Sequence, residues 1–151
     1  MPTPRHILIA SDHAGVELKD SIQRLLPDLQ WEDLGPEEDA RVDYPDYAAK
    51  VAQRVASVHA MHGLLICGSG IGMSIAANKF AGVRAAVVEN PIAAKLSREH
   101  NDANILCLGA RFLAPEYAAE IVRTWLDTAF AGDPRHTHRV QKITQLEKQN
   151  R

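Results

Sequence analysis

Short apolar segments alternate with longer amphipathic segments along most of this chain. The apolar segments predict strands at residues 6–11, 31–34, 63–67, 83–88 and 104–108. The intervening periodicity predicts helices from about Val16, Asp46, Gly70, Pro91 and Pro115. Such alternation is typical of a parallel sheet whose strands are joined by crossover helices. We therefore predict an α/β fold: a three-layer α/β/α Rossmann-like domain with a five-stranded parallel sheet and a C-terminal helical tail.

The tail, from about residue 134, differs from the rest of the chain. Val140, Ile143 and Leu146 recur at intervals of three among charged residues, which makes an apolar stripe too narrow to fill a core alone. A chain of 151 residues is the length of one domain, so we assign residues 1–151 to a single domain. We expect its tail to pack against a partner subunit.

Composition excludes several classes of function. A formal net charge of -2 provides no basic field for nucleic acid or an acidic membrane surface. No apolar run approaches transmembrane length, and no charged leader precedes a long apolar segment. The two cysteines, Cys67 and Cys107, form no metal-binding or disulfide motif. We expect a cytoplasmic protein that binds neither nucleic acid nor membranes.

A cysteine followed by a glycine-rich turn stands where the third strand should lead into a helix. Free N–H groups at the start of a helix favour negative charge, so this loop could stabilise a thiolate at Cys67 or hold a phosphate or enolate oxygen. The loop could equally be a tight turn with Cys67 as a buried filler. The loop alone leaves both interpretations open.

Met73 argues against two familiar uses of such a loop. The dinucleotide-binding pattern G-x-G-x-x-G begins at Gly68 but requires glycine at position 73, and the loop lies in the third strand-helix unit instead of the first. A cysteine phosphatase would need an arginine at that same position to hold its phosphate. We therefore disfavour both interpretations.

Other polar side chains are expected at the carboxyl ends of the strands, where ligands bind in open α/β sheets. Asp12 and His13 could meet a sugar hydroxyl and a phosphate, although Asp12 could also be a helix cap. His100 could transfer a proton to or from a ring oxygen, although polar runs like that around it commonly end a helix. We expect Asp12, His100 and nearby arginines on the same rim of the sheet.

The tail carries its own candidate residues. Arg135 and Arg139 are four apart, so on a helix they share a face and could clamp a phosphate, or they could belong to a solvated helix end. His136 and His138 are two apart and point to different helix faces, with no accompanying carboxylate cluster, so we predict no metal site.

Six motifs occur in an order that resembles the ribose-5-phosphate isomerase B family. They are Ser11–Gly15, Asp43–Pro45, Cys67–Gly72, Ala76–Lys79, Ser97–Asn101, and Arg135 and His136 followed by Arg139. The similarity runs from about residue 6 to residue 147. It implies an isomerase of the pentose phosphate pathway that interconverts ribose 5-phosphate and ribulose 5-phosphate through an enediolate. The family uses no metal or organic cofactor and forms homodimers, or dimers of dimers, with shared active sites.

The resemblance also implies roles for individual residues. Cys67 would move a proton between C1 and C2, His100 would open the sugar ring with help from Asp12, and Ser69 would assist proton exchange between O1 and O2. The loop amides of Gly68, Ser69, Gly70, Ile71 and Gly72 would hold the enediolate oxygen. The phosphate would be bound by His13, Arg111, Arg135 and Arg139, and the sugar hydroxyls by Asn101. Some family members have a glutamate base where this chain has Met73, which assigns this chain to the cysteine type.

Three alternatives remain at the level of the sequence. Relatives of the same architecture isomerise allose 6-phosphate, galactose 6-phosphate or erythrulose phosphates. A non-catalytic phosphosugar- or nucleotide-binding module would use the same anion-binding loop. A flavodoxin-like structural domain would bind no ligand at all.

Overall fold

The computed structural model describes residues 5–38 and 40–150, which contain one five-stranded parallel sheet. The strands are β1 (His6–Ser11), β2 (Gln30–Asp33), β3 (His62–Cys67), β4 (Ala85–Val87) and β5 (Ile105–Gly109). The helices are α1 (Val16–Leu25), α2 (Tyr44–Ser57), α3 (Ile71–Ala77), α4 (Pro91–Glu99), α5 (Pro115–Asp127) and α6 (Pro134–Gln149). A short 3-10 turn, His13–Gly15, precedes α1. The predicted α/β/α fold is confirmed, with the strand order β2-β1-β3-β5-β4.

The boundaries of some elements differ from the predicted ones. The fourth strand was expected over 83–88 but is reduced to Ala85–Val87 at the edge of the sheet. The helix predicted from Pro115 ends at Asp127, because the chain becomes extended at Thr128. The tail forms one helix from Pro134, whose start is capped by Asp133: its side chain accepts a hydrogen bond from the Arg135 N–H.

Helices cover both faces of the sheet, which explains why the central strands are apolar throughout. Helices α1, α4 and α5 pack over Ile9, Ile66 and Leu108 on one face. Helices α2 and α3 pack over Leu8 and Leu65 on the other. Strands buried on both faces lose the alternation of polar and apolar residues and become continuous apolar runs. None of the described helices is both long and apolar enough to cross a membrane.

The order of the strands creates a crevice between β1 and β3. The chain leaves β1 toward one edge of the sheet, to β2, and leaves β3 toward the other, to β5 and β4. The connections after these adjacent strands therefore diverge, which opens a crevice beyond their carboxyl ends. The residues that follow them, Asp12 and Gly68, consequently lie at the site where α/β sheets bind ligands.

A buried lysine fixes the loop after β2 against the end of β1. Lys19 is 1% exposed, and its Nζ donates hydrogen bonds to Asp33 Oδ1 at 2.8 Å and to the Pro36 carbonyl at 2.6 Å. The neighbouring Gly35 carbonyl accepts a hydrogen bond from the Ser11 N–H at 3.0 Å. Burial acts to raise the pKa of Asp33, but hydrogen bonds from Lys19, Gln23 and the Gly35 N–H outweigh it and lower that pKa.

We expect Lys19→Met to lower the free energy of unfolding by about 1–3 kcal/mol, because it leaves the Asp33 carboxylate and the Pro36 carbonyl without their charged donor. A lowered folded-state pKa of Asp33 stabilises the fold above the unfolded value near 3.8, and this stabilisation is lost as pH falls through the folded value. The difference between variant and wild type should therefore narrow in acid. Urea unfolding at several pH values measures both effects.

The control for this prediction is Lys95→Met, which removes an exposed lysine whose ion pair with Glu99 has a 3.6 Å separation. It should change the free energy of unfolding by less than about 0.5 kcal/mol. Equal losses of free energy in the two variants would contradict the structural importance of the buried Lys19.

Candidate active site

A cavity of about 450 Å³ opens beyond the carboxyl ends of the central strands. It is lined by residues of the loops after β1, β3 and β5 and by the first turns of α2 and α3: Asp12, Tyr44, Cys67, Gly68, Ser69, Ile71, Gly72, Ile75 and Arg111. The structure thus brings together in one chain Asp12, the glycine loop and Arg111, all of which the sequence singles out.

The thiol of Cys67 lies at the base of the glycine loop. Cys67 is the last residue of β3, and the Gly70 N–H donates a hydrogen bond to its Sγ at 3.1 Å. Gly70 has a φ of +77°, and a Cβ there would approach the backbone carbonyl carbon of Leu108 to 2.8 Å. Both the backbone conformation and the lack of space therefore require glycine. An N–H directed at sulfur stabilises a thiolate, which is the form that accepts protons and attacks electrophiles.

The second cysteine has a different environment. Cys107 lies on the adjacent strand β5 and is fully buried between the sheet and the α2–α3 layer. Burial, with a smaller contribution from the nearby Cys67, raises the pKa of the Cys107 thiol. Both thiols are buried, Cys67 with 5% and Cys107 with 0% exposure, and both pack in the same core cluster. Of the two, Cys67 alone also lines the cavity, so the structure assigns a purely packing role to Cys107.

Asp12 combines the two roles that the sequence left open. Its Oδ1 accepts a hydrogen bond from the Gly15 N–H at 3.1 Å and caps the turn before α1. Its own N–H donates to the Ile66 carbonyl at 3.1 Å, which ties the turn to β3. Asp12 is only 7% exposed, yet it lines the cavity. The cap thus fixes a carboxylate close to the thiol.

Arg111 and the loop backbone are held against each other. The Arg111 N–H donates to the Gly68 carbonyl at 3.0 Å, and a Cβ at Gly68 would lie 3.2 Å from the Arg111 Nε. The absence of a side chain at Gly68 lets the guanidinium lie over the loop. Two loop amides are engaged locally: that of Gly70 by Cys67, and that of Ile71, which donates to Ser69 Oγ at 3.2 Å.

His13 lies next to Asp12 but is held by a different loop. Its Nδ1 is 3.2 Å from both the nitrogen and the oxygen of Val42, in the segment before α2. Its imidazole is half-buried and borders the crevice without lining the cavity itself.

Tyr44 is a cavity residue that the sequence analysis missed. It begins α2, is 39% exposed, and its ring lies so close to Gly72 that a Cβ there would be 2.5 Å from Cε1. The motif Asp43–Pro45 was noted only for its resemblance to the family. The one signal in the sequence is the third loop glycine, Gly72, because the close contact with the Tyr44 ring leaves no room for a side chain there.

The expectation that His100 shares a rim with Asp12 is wrong within one chain. A crossover helix returns the chain to the edge of the sheet where the next strand begins, so the end of α4 lies opposite the carboxyl ends of the strands. Accordingly, Asn104, four residues after His100, donates its N–H to the carbonyl of Arg84, just before β4. His100 and Asn101 are therefore remote from Cys67 of their own chain.

The tail arginines are also remote from the cavity of their own chain. Arg135 and Arg139 lie on α6, which contains no buried residue. The first turn of α6 lies against the end of α4, where the His136 and His100 rings stack with centroids 4.2 Å apart. Asn101 borders a groove on the inner side of α6, near Ile143 and Leu146. The predicted site residues thus form two groups, here called the cavity group (Asp12, His13, Cys67–Gly72, Arg111) and the tail group (His100, Asn101, Arg135, Arg139).

Comparison with known proteins identifies the family. Residues 7–143 match the family model described as Ribose/Galactose Isomerase. The chain belongs to this family. Ribose-5-phosphate isomerase B of Escherichia coli is 46% identical over 145 residues, which cover 95% of this chain and 97% of that protein.

Solved structures of the family have the same fold. Ribose-5-phosphate isomerase B of Clostridium thermocellum has 47% sequence identity and a TM-score of 0.92, over 97% of this chain and 99% of that one. The enzyme of the same name from Mycoplasma genitalium, solved with bound ribulose-5-phosphate, has 42% identity and a TM-score of 0.91, over 97% and 99% of the two chains.

The contrast between the two thiols predicts selective alkylation. Iodoacetamide should modify Cys67, which lines an open cavity, and leave Cys107 unmodified because burial keeps it protonated and inaccessible. Intact-mass measurement of the folded protein should show one adduct per chain. Cys107→Ala should still give that adduct and Cys67→Ala should give none; modification at Cys107 would contradict the assignment.

Proposed function

We propose that this protein is an aldose–ketose isomerase that interconverts D-ribose 5-phosphate and D-ribulose 5-phosphate through an enediolate. The observation that carries the proposal is the single cavity in which the Cys67 thiol, the glycine-loop amides, the Asp12 carboxylate and the Arg111 guanidinium meet. Relatives named ribose-5-phosphate isomerase B, one solved with ribulose-5-phosphate, support the choice of a five-carbon sugar phosphate. The activity belongs in the cytoplasmic pentose phosphate pathway.

The cavity supplies the groups that such a proton transfer needs. Cys67 takes the C2 proton of the open-chain aldose and returns a proton to C1, while the Ser69 hydroxyl assists the exchange between O1 and O2. Because the Gly70 and Ile71 amides are engaged within the loop, the amides of Gly68, Ser69 and Gly72 are the donors for the enediolate oxygen. Donors of this kind typically lower a barrier by roughly 3–4 kcal/mol each. The proposed reaction needs no metal or organic cofactor.

The tail group completes the site from a second subunit. In this proposal, His100, Asn101, Arg135 and Arg139 of one subunit reach the Cys67 cavity of its partner in a homodimer, or in a dimer of such dimers. The support is threefold: these residues are remote from their own cavity, no residue of α6 is buried, and apolar side chains are exposed around the edge strand β4. These are Ile71, Ile75, Val87, Ile92 and Leu96. Each chain is then one domain whose tail packs on its partner.

The phosphate is bound where positive charge can gather from both chains. Arg111 and His13 approach it from the cavity side, and Arg135 and Arg139 from the partner's tail. Guanidinium groups bind phosphate through paired N–H donors, so several of them fix the phosphate and leave C1 and C2 at the thiol. Asn101 then contacts the sugar hydroxyls, and His100 opens the furanose ring with help from Asp12.

Cys67→Ala should lower isomerisation of ribose 5-phosphate by roughly 10²–10⁴-fold, because it removes the base while leaving the phosphate-binding groups intact. Ribose 5-phosphate should still raise the melting temperature of the variant, since binding survives. Cys107→Ala is the control and should retain turnover while folded. Unchanged turnover in Cys67→Ala would overturn the mechanism.

The same assay separates the substrates. Allose 6-phosphate, galactose 6-phosphate and erythrulose 4-phosphate are measured beside ribose 5-phosphate with the wild-type protein. A higher kcat/KM for one of them would move the assignment within the family. Binding without turnover of any of them would favour a non-catalytic sugar-phosphate module, and no thermal protection by any would favour a domain without a ligand.

Mixed dimers test whether the site is shared. Cys67→Ala and Arg139→Ala chains, each nearly inactive alone, should recover about one quarter of wild-type activity after refolding together in equal amounts, because each heterodimer has one intact site. The control mixes Cys67→Ala with the double variant Cys67→Ala/Arg139→Ala, in which no site is intact. No recovery despite heterodimers detected by mass spectrometry would contradict a shared site.

A further inference from the structure

His136 lies directly against the residue assigned to ring opening. Its imidazole is stacked on that of His100, with ring centroids 4.2 Å apart and the ring planes 20° from parallel. His100 ends α4 and His136 is in the first turn of α6, so the contact joins two elements far apart in sequence. Both rings border a cavity of about 430 Å³ whose charged lining residues include Lys95, Glu99, Asp127 and Asp133.

The stack holds the His100 ring without occupying its nitrogens. Within residues 5–38 and 40–150, neither ring nitrogen of His100 makes a hydrogen bond to protein, and the residue is exposed. An exposed histidine of this kind would otherwise populate several rotamers. A stacking contact fixes the plane of the ring through its face and leaves both edge nitrogens available for proton transfer.

His136 is itself held in place independently of His100. The Asp133 side chain accepts a hydrogen bond from the Arg135 N–H at 2.9 Å, and the Asp133 carbonyl accepts one from the Thr137 N–H at 2.9 Å. At the other end of α6, the Glu147 carboxylate accepts hydrogen bonds from the Gly82 N–H at 3.1 and 3.2 Å. A helix capped at its start and anchored near its end presents His136 at a fixed position.

We propose that His136 is a positioning residue for ring opening, which orients the His100 imidazole by stacking. The inference rests on the proposed function, because it takes from there the role of His100. In ring opening the C1–O4 bond breaks, the proton of the C1 hydroxyl is removed and a proton is delivered to O4, which yields the C1 aldehyde and the O4 hydroxyl with no net gain or loss of protons. An imidazole serves such a step only if its nitrogens are directed at these oxygens.

Ring opening can be separated from proton transfer with the ketose. Ribose 5-phosphate in solution is mainly a furanose, which must be opened before C2 can lose its proton. Ribulose 5-phosphate cannot close a furanose ring, because its O5 carries the phosphate, so its C1 proton can exchange with solvent deuterium through the enediolate without any ring step. Because a catalyst leaves the equilibrium constant unchanged, a defect confined to ring opening lowers kcat/KM for the aldose and the ketose by the same factor. Such a defect leaves the exchange at C1 of ribulose 5-phosphate intact.

The test compares His136→Leu, which keeps apolar bulk but removes the flat ring, with His136→Phe, which keeps the stack. His136→Leu should lower kcat/KM for ribose 5-phosphate and for ribulose 5-phosphate alike by about 3- to 10-fold. The rate of deuterium exchange at C1 of ribulose 5-phosphate, followed by NMR in D2O, should change less than about twofold. His136→Phe should retain most of the isomerase activity. The double variant His100→Ala/His136→Leu should be no slower than His100→Ala, because the two residues act as one unit.

Two controls distinguish the possible failures. Arg139→Ala should lower isomerisation and C1 exchange together, because it weakens binding of both sugars. The same pattern in His136→Leu would mean that His136 acts only through phosphate binding by the tail, which overturns the inference. So would a His136→Phe variant as slow as His136→Leu. If His100→Ala slows exchange as much as isomerisation, the proposed role of His100 fails and the inference with it. If His100→Ala slows isomerisation alone and His136→Leu slows neither, only the inference fails.

Discussion

The close pairing of β1 with β3 is the constraint on which the whole site depends. Ser11 is aligned with Ile66 at the end of this pair, and the hydrogen bond from the Asp12 N–H to the Ile66 carbonyl continues the contact beyond the strands. Gly15 makes the approach possible, since a Cβ there would lie 2.8 Å from the Ile66 oxygen. The connections leave the two strands in opposite directions, and so the carboxylate after one strand and the thiol that ends the other line the same cavity.

Much of this arrangement follows from the sequence because it depends on local patterns. The apolar runs gave all five strands, and β1 has its predicted bounds at His6–Ser11. The loop after β3 was recognisable because a glycine-rich turn between a buried strand and a helix has few alternatives. Residues following parallel strands meet at one edge of the sheet, so Asp12, Cys67 and Arg111 could be grouped before any strand order was known.

Other features could not be predicted because they depend on contacts between distant segments. Periodicity carries no information on which strands pair. The sequence therefore does not indicate that β5 lies next to β3 and that β4, which precedes it in the chain, forms the edge of the sheet. The rim position predicted for His100 was wrong because a polar run does not show in which direction its helix points, and α4 carries His100 to the opposite edge of the sheet. Tyr44 was missed because its partner Gly72 lies in a different strand-helix unit.

The division of the polar residues into a cavity group and a tail group explains the unusual character of α6. A helix that had to contribute to the core would need a wide apolar stripe, but no residue of α6 is buried. Contacts near its two ends hold α6 to its own chain: His136 stacks on His100, and Glu147 accepts a hydrogen bond from Gly82. These contacts set its direction while leaving its arginines exposed. In the proposed dimer, therefore, each subunit builds two half-sites on rigid elements: a thiol and oxyanion donors at one edge of its sheet, and an imidazole with phosphate-binding groups at the other. In that dimer, association would assemble the proposed ring-opening and proton-transfer groups around one substrate, and catalysis would require the dimer even though each chain completes its own fold.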